Sequence, residues 1–189
     1  MLRIRYNAPV VLTFAILAFL TIPLNVLTAG WTTPHLFSVY RCSLLDALAY
    51  VRFFGHVLGH SGLSHYYGNM LLMLLVGPAL EEKYGSKQLL LFIAATALAT
   101  GLVEFIFFPG HALLGASGVV FMMIVLSSFT STSRGAVPVT MLLVVALYLG
   151  KEIIYGVASA DNVSQLAHVV GGICGIAIGF SATGGKTRR

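Results

Sequence analysis

Four polar residues in apolar surroundings have the side chains that acyl-transfer chemistry requires. Ser117 lies in the stretch LLGASGVVF with small residues on both sides, and His168 begins the stretch HVVGGICG. A serine beside an imidazole base is a minimal activated nucleophile. His65 and Asn69 are four residues apart, so both project from one helix face, and their side chains can donate hydrogen bonds to an oxyanion. The four residue types predict a Ser117–His168 dyad, with an oxyanion hole formed by the other two residues and the Ser117 backbone N–H.

The overall composition places these residues in a membrane. Apolar residues make up 58% of the 189 residues and charged residues only 9%, and the mean hydropathy is +0.92. A soluble domain typically carries about 25% charged residues, so this chain cannot cover a water-facing surface. Because open sheets cannot satisfy their backbone groups in lipid, the composition predicts an all-α integral membrane protein.

Six apolar stretches approach the roughly 20 residues that a helix needs to cross a bilayer. The second and fourth are short, and a long outer loop (30–64) follows the first. Residues 1–189 are therefore predicted to form one membrane domain, a bundle of six transmembrane helices. We interpret the first stretch as an uncleaved anchor, with cleavage near Ala29 as the alternative. The predicted spans are 9–29, 65–81, 89–108, 114–130, 136–155 and 163–182.

The basic residues predict how the helices are oriented. Eight of the eleven Lys and Arg residues fall on one side of the six spans, and the other three are Arg41, Arg52 and Lys151. The positive-inside rule then places both termini in the cytoplasm. The net charge of +5 therefore orients the protein in the lipid bilayer, and we expect no nucleic-acid partner. The oligomeric state is not indicated by these patterns.

In this orientation the second, fourth and sixth spans all run inward from the outer face. The four polar residues lie near the outer ends of these spans, within roughly 10 Å of the boundary at 1.5 Å per residue. Gly171 and Gly175 form a GxxxG motif, which lets two helices approach closely, and Gly115 and Gly118 offer a matching surface on the fourth span. This contact is predicted to bring the serine within hydrogen-bond distance of the sixth-span imidazole. Phe121, one turn after the serine, is predicted to hold the imidazole ring by stacking.

At these residues the sequence resembles the rhomboid family of intramembrane serine proteases. HSGLSHYYGN (60–69) matches the H-x4-H-x3-N pattern at the start of the second helix, and GASG (115–118) resembles the GxSG nucleophile motif. AHVVGGICG (167–175) is similar to the AHxxGxxxG pattern of the sixth helix, and GPALEEKYGS (77–86) to the end of the second helix and the following turn. The resemblance extends from about residue 56 to 182, with order and spacing preserved.

The resemblance implies a role for each matching residue. Ser117 would be the nucleophile, and His168 the general base and then the acid for the leaving amine. His65 and Asn69 would help to bind the oxyanion. Glu81 resembles an acidic residue that anchors the first loop, which is a structural role. No metal or cofactor is implied.

The resemblance also implies the substrates and the setting. Substrates would be single-span membrane proteins, cut near the outer face at a helix-destabilising segment with small P1 residues. A compact six-span chain suggests a prokaryotic plasma membrane. Two positions depart from the family: Phe121 replaces a frequent tyrosine and loses its hydroxyl, and Tyr40-Arg41 stands where the first loop often carries a Trp-Arg pair.

Other interpretations of the same residues remain open. Ser117 taken alone is more often a helix-packing residue than a nucleophile. His56, His60 and His65 have spacings at which they could ligate a metal, although no residues that would orient metal ligands are evident between them. A non-catalytic relative that binds membrane clients would keep the fold, and a haem protein would use His65 and His168 as axial ligands.

Three further features have expected places outside the predicted dyad. Glu104 is expected near the outer edge of the third span, where it reaches headgroups or pairs with the first loop. Residues 156–160, GVASA, resemble a flexible cap over the active site. Cys42 and Cys174 lie at different depths and are predicted to form no disulfide.

Overall fold

The computed structural model describes residues 6–130, 136–147 and 162–184 and is mostly helical there. Within these ranges the chain forms eight helices and two short strands. In chain order they are α1 (Pro9–Leu27), α2 (Thr32–Leu36), β1 (Val39–Tyr40), α3 (Leu48–Gly55), α4 (Leu63–Tyr84), α5 (Ser86–Phe107), β2 (Ala112–Leu113), α6 (Ser117–Ser127), α7 (139–147) and α8 (Asn162–Gly184).

Within the part of the chain that the structure describes, three helices are long and apolar enough to cross a membrane. They are α1, α5 and the segment Gln165–Ala182 of α8, which correspond to the predicted first, third and sixth spans. The predicted second span lies within α4, whose 22 residues extend about 33 Å at 1.5 Å per residue. This helix is less apolar because it ends in Glu81, Glu82 and Lys83.

The predicted fourth span (114–130) is too long. Helix α6 begins only at Ser117 and has 11 residues, or about 16 Å, which is roughly half of the hydrocarbon thickness. It cannot begin earlier because Gly115 has a φ of +123° and residues 112–113 form β2. The chain turns at residues 128–130 after the helix.

The predicted fifth span (136–155) is described only in part. Residues 139–147 are helical, and the rest of the span and the predicted cap at 156–160 lie outside the described residues. The count of six transmembrane helices and the cytoplasmic location of both termini therefore stay predictions.

Helix α6 lies in the centre of the bundle, packed against α4, α5 and α8. Apolar residues line it on every side, which is typical of a helix without a solvent face, and those from Gly118 to Met123 are all buried. Glycines permit its closest contact, with α8. A methyl group added at Gly171 would overlap the backbone of Gly118, and one at Gly175 would lie 2.6 Å from the carbonyl oxygen of Met122. The predicted close approach of these two helices is confirmed.

The first loop is folded and is attached to the segment that leads into α6. Strand β1 pairs antiparallel with β2, and Val39 is opposite Leu113. Arg52 is buried and donates hydrogen bonds to Asp46, to the His35 carbonyl and to the Cys42 sulfur. The Arg52 hydrogen bond lowers the pKa of the Asp46 carboxyl.

Arg41, which the sequence paired with Tyr40, is exposed and has a different role. It donates hydrogen bonds to the carbonyl oxygens of Phe105 and Ile106 at the end of α5. The buried arginine of the first loop is thus Arg52, and Arg41 fastens the loop to the third predicted span.

Glu81 anchors a different element from the one expected. Its two carboxylate oxygens accept hydrogen bonds from the backbone N–H groups of Val10 (2.9 Å) and Val11 (3.0 Å). The Ser86 hydroxyl donates a third, at 2.7 Å. The first N–H groups of a helix have no intrahelical acceptor and carry partial positive charge. Glu81 therefore fixes the start of α1, at the end of α4 that is remote from the first loop.

The structure also shows the surroundings of Glu104 and of the two cysteines. Glu104 is 2% exposed, so the expectation that it reaches lipid headgroups is wrong. It lies inside the protein because α5 turns that face toward the bundle. Cys42 and Cys174 are both free thiols, as predicted from their difference in depth.

Candidate active site

Ser117 is the first residue of a buried helix and follows a sharp turn. The N–H of Gly115 donates a hydrogen bond of 2.9 Å to the carbonyl of His56, which ties this turn to the end of the first loop. Gly115 turns the chain between β2 and α6 with a positive φ. Glycine adopts this backbone conformation without the steric strain that a side chain would cause. The turn places the Ser117 N–H among the free donors of the helix N-terminus.

His65 and Asn69 both face this turn from the first two turns of α4. A methyl group added at Gly115 would lie 2.8 Å from His65 Nε2 and 3.8 Å from Asn69 Nδ2. The space that a side chain would fill at Gly115 is therefore bounded by an imidazole nitrogen and an amide nitrogen. The structure brings these two α4 residues together with the GASG segment.

The hydrogen-bonding state of Asn69 is unusual for a buried amide. The residue is 7% exposed, and within the described part of the chain its Nδ2 atom has no hydrogen-bond partner. A buried donor left without an acceptor costs about 1–3 kcal/mol. The amide is thus available to an acceptor that enters the space beside Gly115.

His65 is held by residues that precede it in the chain. Its Nδ1 atom is 3.2 Å from the Ser61 hydroxyl, and its ring packs edge-to-face on that of His60, with centroids 5.0 Å apart. His60 in turn donates from Nδ1 to the Leu58 carbonyl at 3.0 Å. These contacts fix the ring so that Nε2 faces Gly115.

His168 is buried on α8, on the part of that helix that packs against the start of α6. Its neighbour Ala167 contacts α6 through a carbonyl oxygen that would lie 3.1 Å from a methyl group at Gly118. Gly172 lies one turn after His168 on α8, and the ring of Phe121 fills the space beside it. A methyl group added at Gly172 would be 2.7 Å from Phe121 Cε1. The start of α6 and the His168 turn of α8 are therefore neighbours.

A small cavity beside Ser117 contains a histidine that the sequence did not assign to the site. His56 is 1% exposed, and its Nε2 atom is 3.2 Å from the Thr100 hydroxyl of α5. Its Nδ1 atom donates to the Arg52 carbonyl at 3.1 Å. The sequence signal was Thr100, one of the few polar residues in the predicted third span, because a hydroxyl needs a partner when buried. The cavity is lined by His56, Val57, Thr100, Leu113, Gly115, Ser117, Gly118 and Ala167.

The environment of His56 sets its charge. Burial lowers the pKa of His56 to about 4, against the effect of its backbone hydrogen bonds. The ring is therefore neutral at physiological pH, and its Nε2 atom lies 3.2 Å from the Thr100 hydroxyl. Because His56 is turned toward α5, it does not join His60 and His65 as a ligand. Among the described residues no three His, Cys, Asp or Glu side chains form a group that could hold a metal ion.

Comparison with known sequences identifies the family. Residues 47–184 match the Rhomboid domain, a range that runs from α3 to the end of α8. The chain belongs to the rhomboid family. All four residues of the predicted dyad and oxyanion hole lie inside the matched range of this rhomboid.

Named relatives span three kingdoms. Rhomboid-related protein 2 of Mus musculus is 30% identical over 142 residues, which cover 69% of this chain and 47% of the mouse protein. Rhomboid protease GluP of Bacillus subtilis (strain 168) is 25% identical over 180 residues, 92% of this chain and 35% of that protein. RHOMBOID-like protein 4 of Arabidopsis thaliana is 30% identical over 128 residues, covering 64% and 31%.

The relatives limit what family membership says about this rhomboid. The chain spans less than half of the length of each of the three. One of them is named as a protease, so the family includes proteases. Family membership and the apolar helices together indicate a multi-pass membrane protein. Because animal, plant and bacterial proteins all match, membership does not distinguish a prokaryotic plasma membrane from other membranes.

Proposed function

We propose that this rhomboid is an intramembrane serine endopeptidase that cleaves membrane-protein substrates, with Ser117 as nucleophile and His168 as general base. The observation that supports this function best is the space at Gly115. An imidazole nitrogen of His65 and Asn69 Nδ2, which has no hydrogen-bond partner among the described residues, converge there directly before the candidate nucleophile. Donors without acceptors are what a site for a developing oxyanion requires.

In the proposed reaction His168 accepts the Ser117 hydroxyl proton as Oγ attacks the substrate carbonyl. The carbonyl oxygen then carries negative charge and receives hydrogen bonds from the Ser117 N–H and from Asn69 Nδ2. When His65 Nδ1 accepts a hydrogen bond from the Ser61 hydroxyl, the neutral ring carries its hydrogen on Nε2, which supplies a third donor. His168 next protonates the leaving amine, and water hydrolyses the acyl-enzyme by the same acid–base exchange.

Phe121 is proposed to hold the imidazole in place. Its ring lies against α8 one turn from His168, so the two rings can stack across the α6–α8 contact. The glycines at 171 and 172 leave room for this arrangement, because any side chain there would displace Gly118 or the Phe121 ring. Stacking replaces the carboxylate that orients histidine in many soluble serine proteases.

The geometry also suggests which substrates fit. Ser117 lies at the start of a helix that is enclosed by α4, α5 and α8, so a substrate must enter as an extended segment that has left its own helix. The space around Ser117 is tight because Gly115 and Gly118 contact neighbouring helices closely, which favours a small P1 side chain. We propose single-span membrane proteins as substrates, cut near the outer face of the membrane.

A serine-directed probe tests this proposal. Purified protein in detergent is treated with a fluorophosphonate, with Ser117→Ala and His168→Ala in parallel. Ser127→Ala is the matched control, since that hydroxyl is on the same helix and only donates to the Ile124 carbonyl. We expect labelling of the wild type and of the control, and none of the two site variants.

The opposite results point to other functions. Labelling that survives in Ser117→Ala would assign the reactive serine elsewhere. Folded wild-type protein that does not label, and does not cleave a reconstituted single-span substrate, would favour a client-binding rhomboid without catalysis. A haem protein is disfavoured because α6 packs between α4, which carries His65, and α8, which carries His168.

A further inference from the structure

A groove on the membrane-facing side of the protein is separate from the proposed catalytic residues. Its volume is about 440 Å³, and its walls are α1 from Pro9 to Leu17 and α5 from Leu90 to Ala97. The first-loop residues Phe54, Val57 and Leu58 close one end. Both walls belong to helices that can cross a membrane, so the groove opens toward lipid.

The lining and the length of the groove fit a hydrocarbon chain. Thr13 carries the one side-chain hydroxyl in the described lining, and that hydroxyl is hydrogen-bonded to Tyr6 at 3.0 Å. Lys87 lies one turn before the groove begins, and Ala97 lies at its closed end. The distance along α5 from Lys87 to Ala97 is ten residues, or about 15 Å. This is half of the roughly 30 Å hydrocarbon thickness of a bilayer, the depth of one leaflet.

The open end of the groove has groups suited to a headgroup. Lys87 is exposed and is on the same side of α5 as Leu90, three residues later. The hydroxyls of Tyr6 and Thr13 lie on the α1 side of the same end. A lysine at this depth keeps its ammonium group among lipid phosphates while its methylene groups lie along the apolar wall.

We propose that this groove binds one acyl chain of a phospholipid from the leaflet in which α1 begins, with the phosphate at Lys87. The chain terminus then lies against Phe54 and Val57. Burying hydrocarbon against these walls gains little over lipid itself, so the affinity comes from van der Waals fit and from the phosphate contact. The bound chain supports the first loop at the middle of the membrane.

The site is connected to the Ser117 turn through one residue. Val57 lines both the groove and the cavity beside Ser117, and the carbonyl of its neighbour His56 accepts the Gly115 N–H. An occupied groove therefore supports the segment that holds the turn. This consequence rests on the proposed function, whereas acyl-chain binding does not.

Photo-crosslinking tests the binding directly. The full chain is reconstituted in phosphatidylcholine vesicles that contain a phosphatidylcholine with a diazirine at the end of one acyl chain, and the labelled residues are mapped by mass spectrometry. We expect several-fold more label on the groove-lining residues than on Leu71 and Leu75; the lining residues to be measured are Phe54, Val57, Ile93, Ala94 and Ala97. Those two leucines of α4 are 72% and 74% exposed and serve as the internal reference for contact with free lipid. Equal labelling of groove and reference would overturn the proposal without any variant.

A groove-filling substitution sharpens the result. Ala94 lines the groove and is half-buried, and its neighbour Ala95 is exposed and outside the groove. Ala94→Trp is expected to reduce the groove label several-fold, while Ala95→Trp leaves it unchanged. Lys87→Gln is expected to reduce the groove label less than Ala94→Trp does, because it removes the phosphate contact and leaves the groove open. Unchanged groove label in folded Ala94→Trp would mean that the chain binds elsewhere. Because lipid labelling is measured without substrate, its failure is distinguishable from a failure of serine-probe labelling, which tests the proposed function.

Discussion

Asn69 and Glu81 are both buried polar residues on α4, twelve residues apart, and their surroundings differ sharply. Glu81 accepts hydrogen bonds from Val10, Val11 and Ser86. Asn69 Nδ2, at the other end of the helix, has no partner within the described residues and faces the space beside Gly115. Buried polar groups are normally paired because an unpaired one is costly. Glu81 therefore has the contacts of a structural anchor, whereas Asn69 has those of a residue that can bind an acceptor in the proposed oxyanion site.

The largest expected effect is on catalysis at the site end of the helix bundle. If the proposed dyad is correct, Ser117→Ala and His168→Ala should each lower the cleavage rate by on the order of 10⁴-fold or more, as loss of the catalytic serine or histidine does in characterised serine proteases. Ser117→Ala should change the free energy of unfolding by no more than about 1 kcal/mol because it removes a single hydroxyl. His168→Ala also removes a buried ring, which costs about 2–5 kcal/mol, so its cleavage rate is compared per folded molecule. Cleavage of a reconstituted substrate and unfolding in mixed micelles measure the two quantities. Appreciable residual cleavage in either variant would contradict the dyad.

Asn69→Ala tests the unpaired donor itself. Loss of one oxyanion donor should lower the cleavage rate by on the order of 10²–10³-fold. The free energy of unfolding should stay the same or rise, since the variant removes a buried amide that lacks an acceptor. A large loss of stability together with unchanged cleavage per folded molecule would reverse the assignment and make Asn69 an anchor.

Glu81→Gln should show the opposite pattern. An amide can accept a hydrogen bond through only one of its two terminal atoms, so at least one α1 N–H group is left unpaired, which costs about 1–3 kcal/mol of unfolding free energy. Cleavage per folded molecule should be unchanged because this residue is at the far end of α4. Glu82→Gln, which makes the same change at an exposed neighbouring position of α4, is the control for charge. A Glu81→Gln variant of normal stability that loses activity would mean that the two ends of α4 are coupled.

The buried His56 predicts a pH dependence of stability. Burial lowers the pKa of His56 to about 4, so in the range from about pH 6.5 to 4 the unfolded chain binds a proton that the folded chain does not. The stabilising contribution is complete above pH 6.5 and is lost as the pH falls toward 4. His60, whose pKa burial also lowers to about 4, adds a loss of the same sign. Unfolding titrations should show a smaller acid loss in His56→Gln, and an unchanged profile would exclude His56 as its source.

Phe121→Tyr should have the smallest effect. The tyrosine ring keeps the stacking face beside α8, and tyrosine is the residue that rhomboids often have at this position. Cleavage should be preserved or raised, and Phe121→Ala, which removes the ring, is the matched comparison. Complete loss of cleavage in the tyrosine variant would be inconsistent with a stacking role.

Several features of the fold and site were readable from local patterns. The glycines at 118, 171 and 175 predicted the close contact of α6 and α8, because a missing side chain allows close approach whatever the rest of the chain does. Of the six spans that hydropathy predicted, the first, third and sixth correspond to helices of spanning length within the described residues. The H-x4-H-x3-N spacing placed His65 and Asn69 on one helix face, since helical periodicity is a local property.

The failures share a physical cause, which is that a partner distant in the chain decides the outcome. Glu81 is paired with residues about 70 positions earlier, and His56 with Thr100, 44 positions later. No periodicity signals such pairs. The length of α6 was overestimated because hydropathy does not detect the turn at Gly115, and Glu104 was misplaced because hydropathy does not say which face of a helix is buried.

The sequence by itself determined that this chain lies in a membrane, which residues have groups capable of acyl transfer, and the family to which it belongs. It could do so because composition, residue type and spacing are properties of the chain alone. Only the tertiary structure decided that Asn69 Nδ2 has no partner among the described residues, that Glu81 accepts three hydrogen bonds, and that the His56 carbonyl holds the turn before Ser117. Hydrogen-bond completeness depends on which distant segments meet, and only packing determines that.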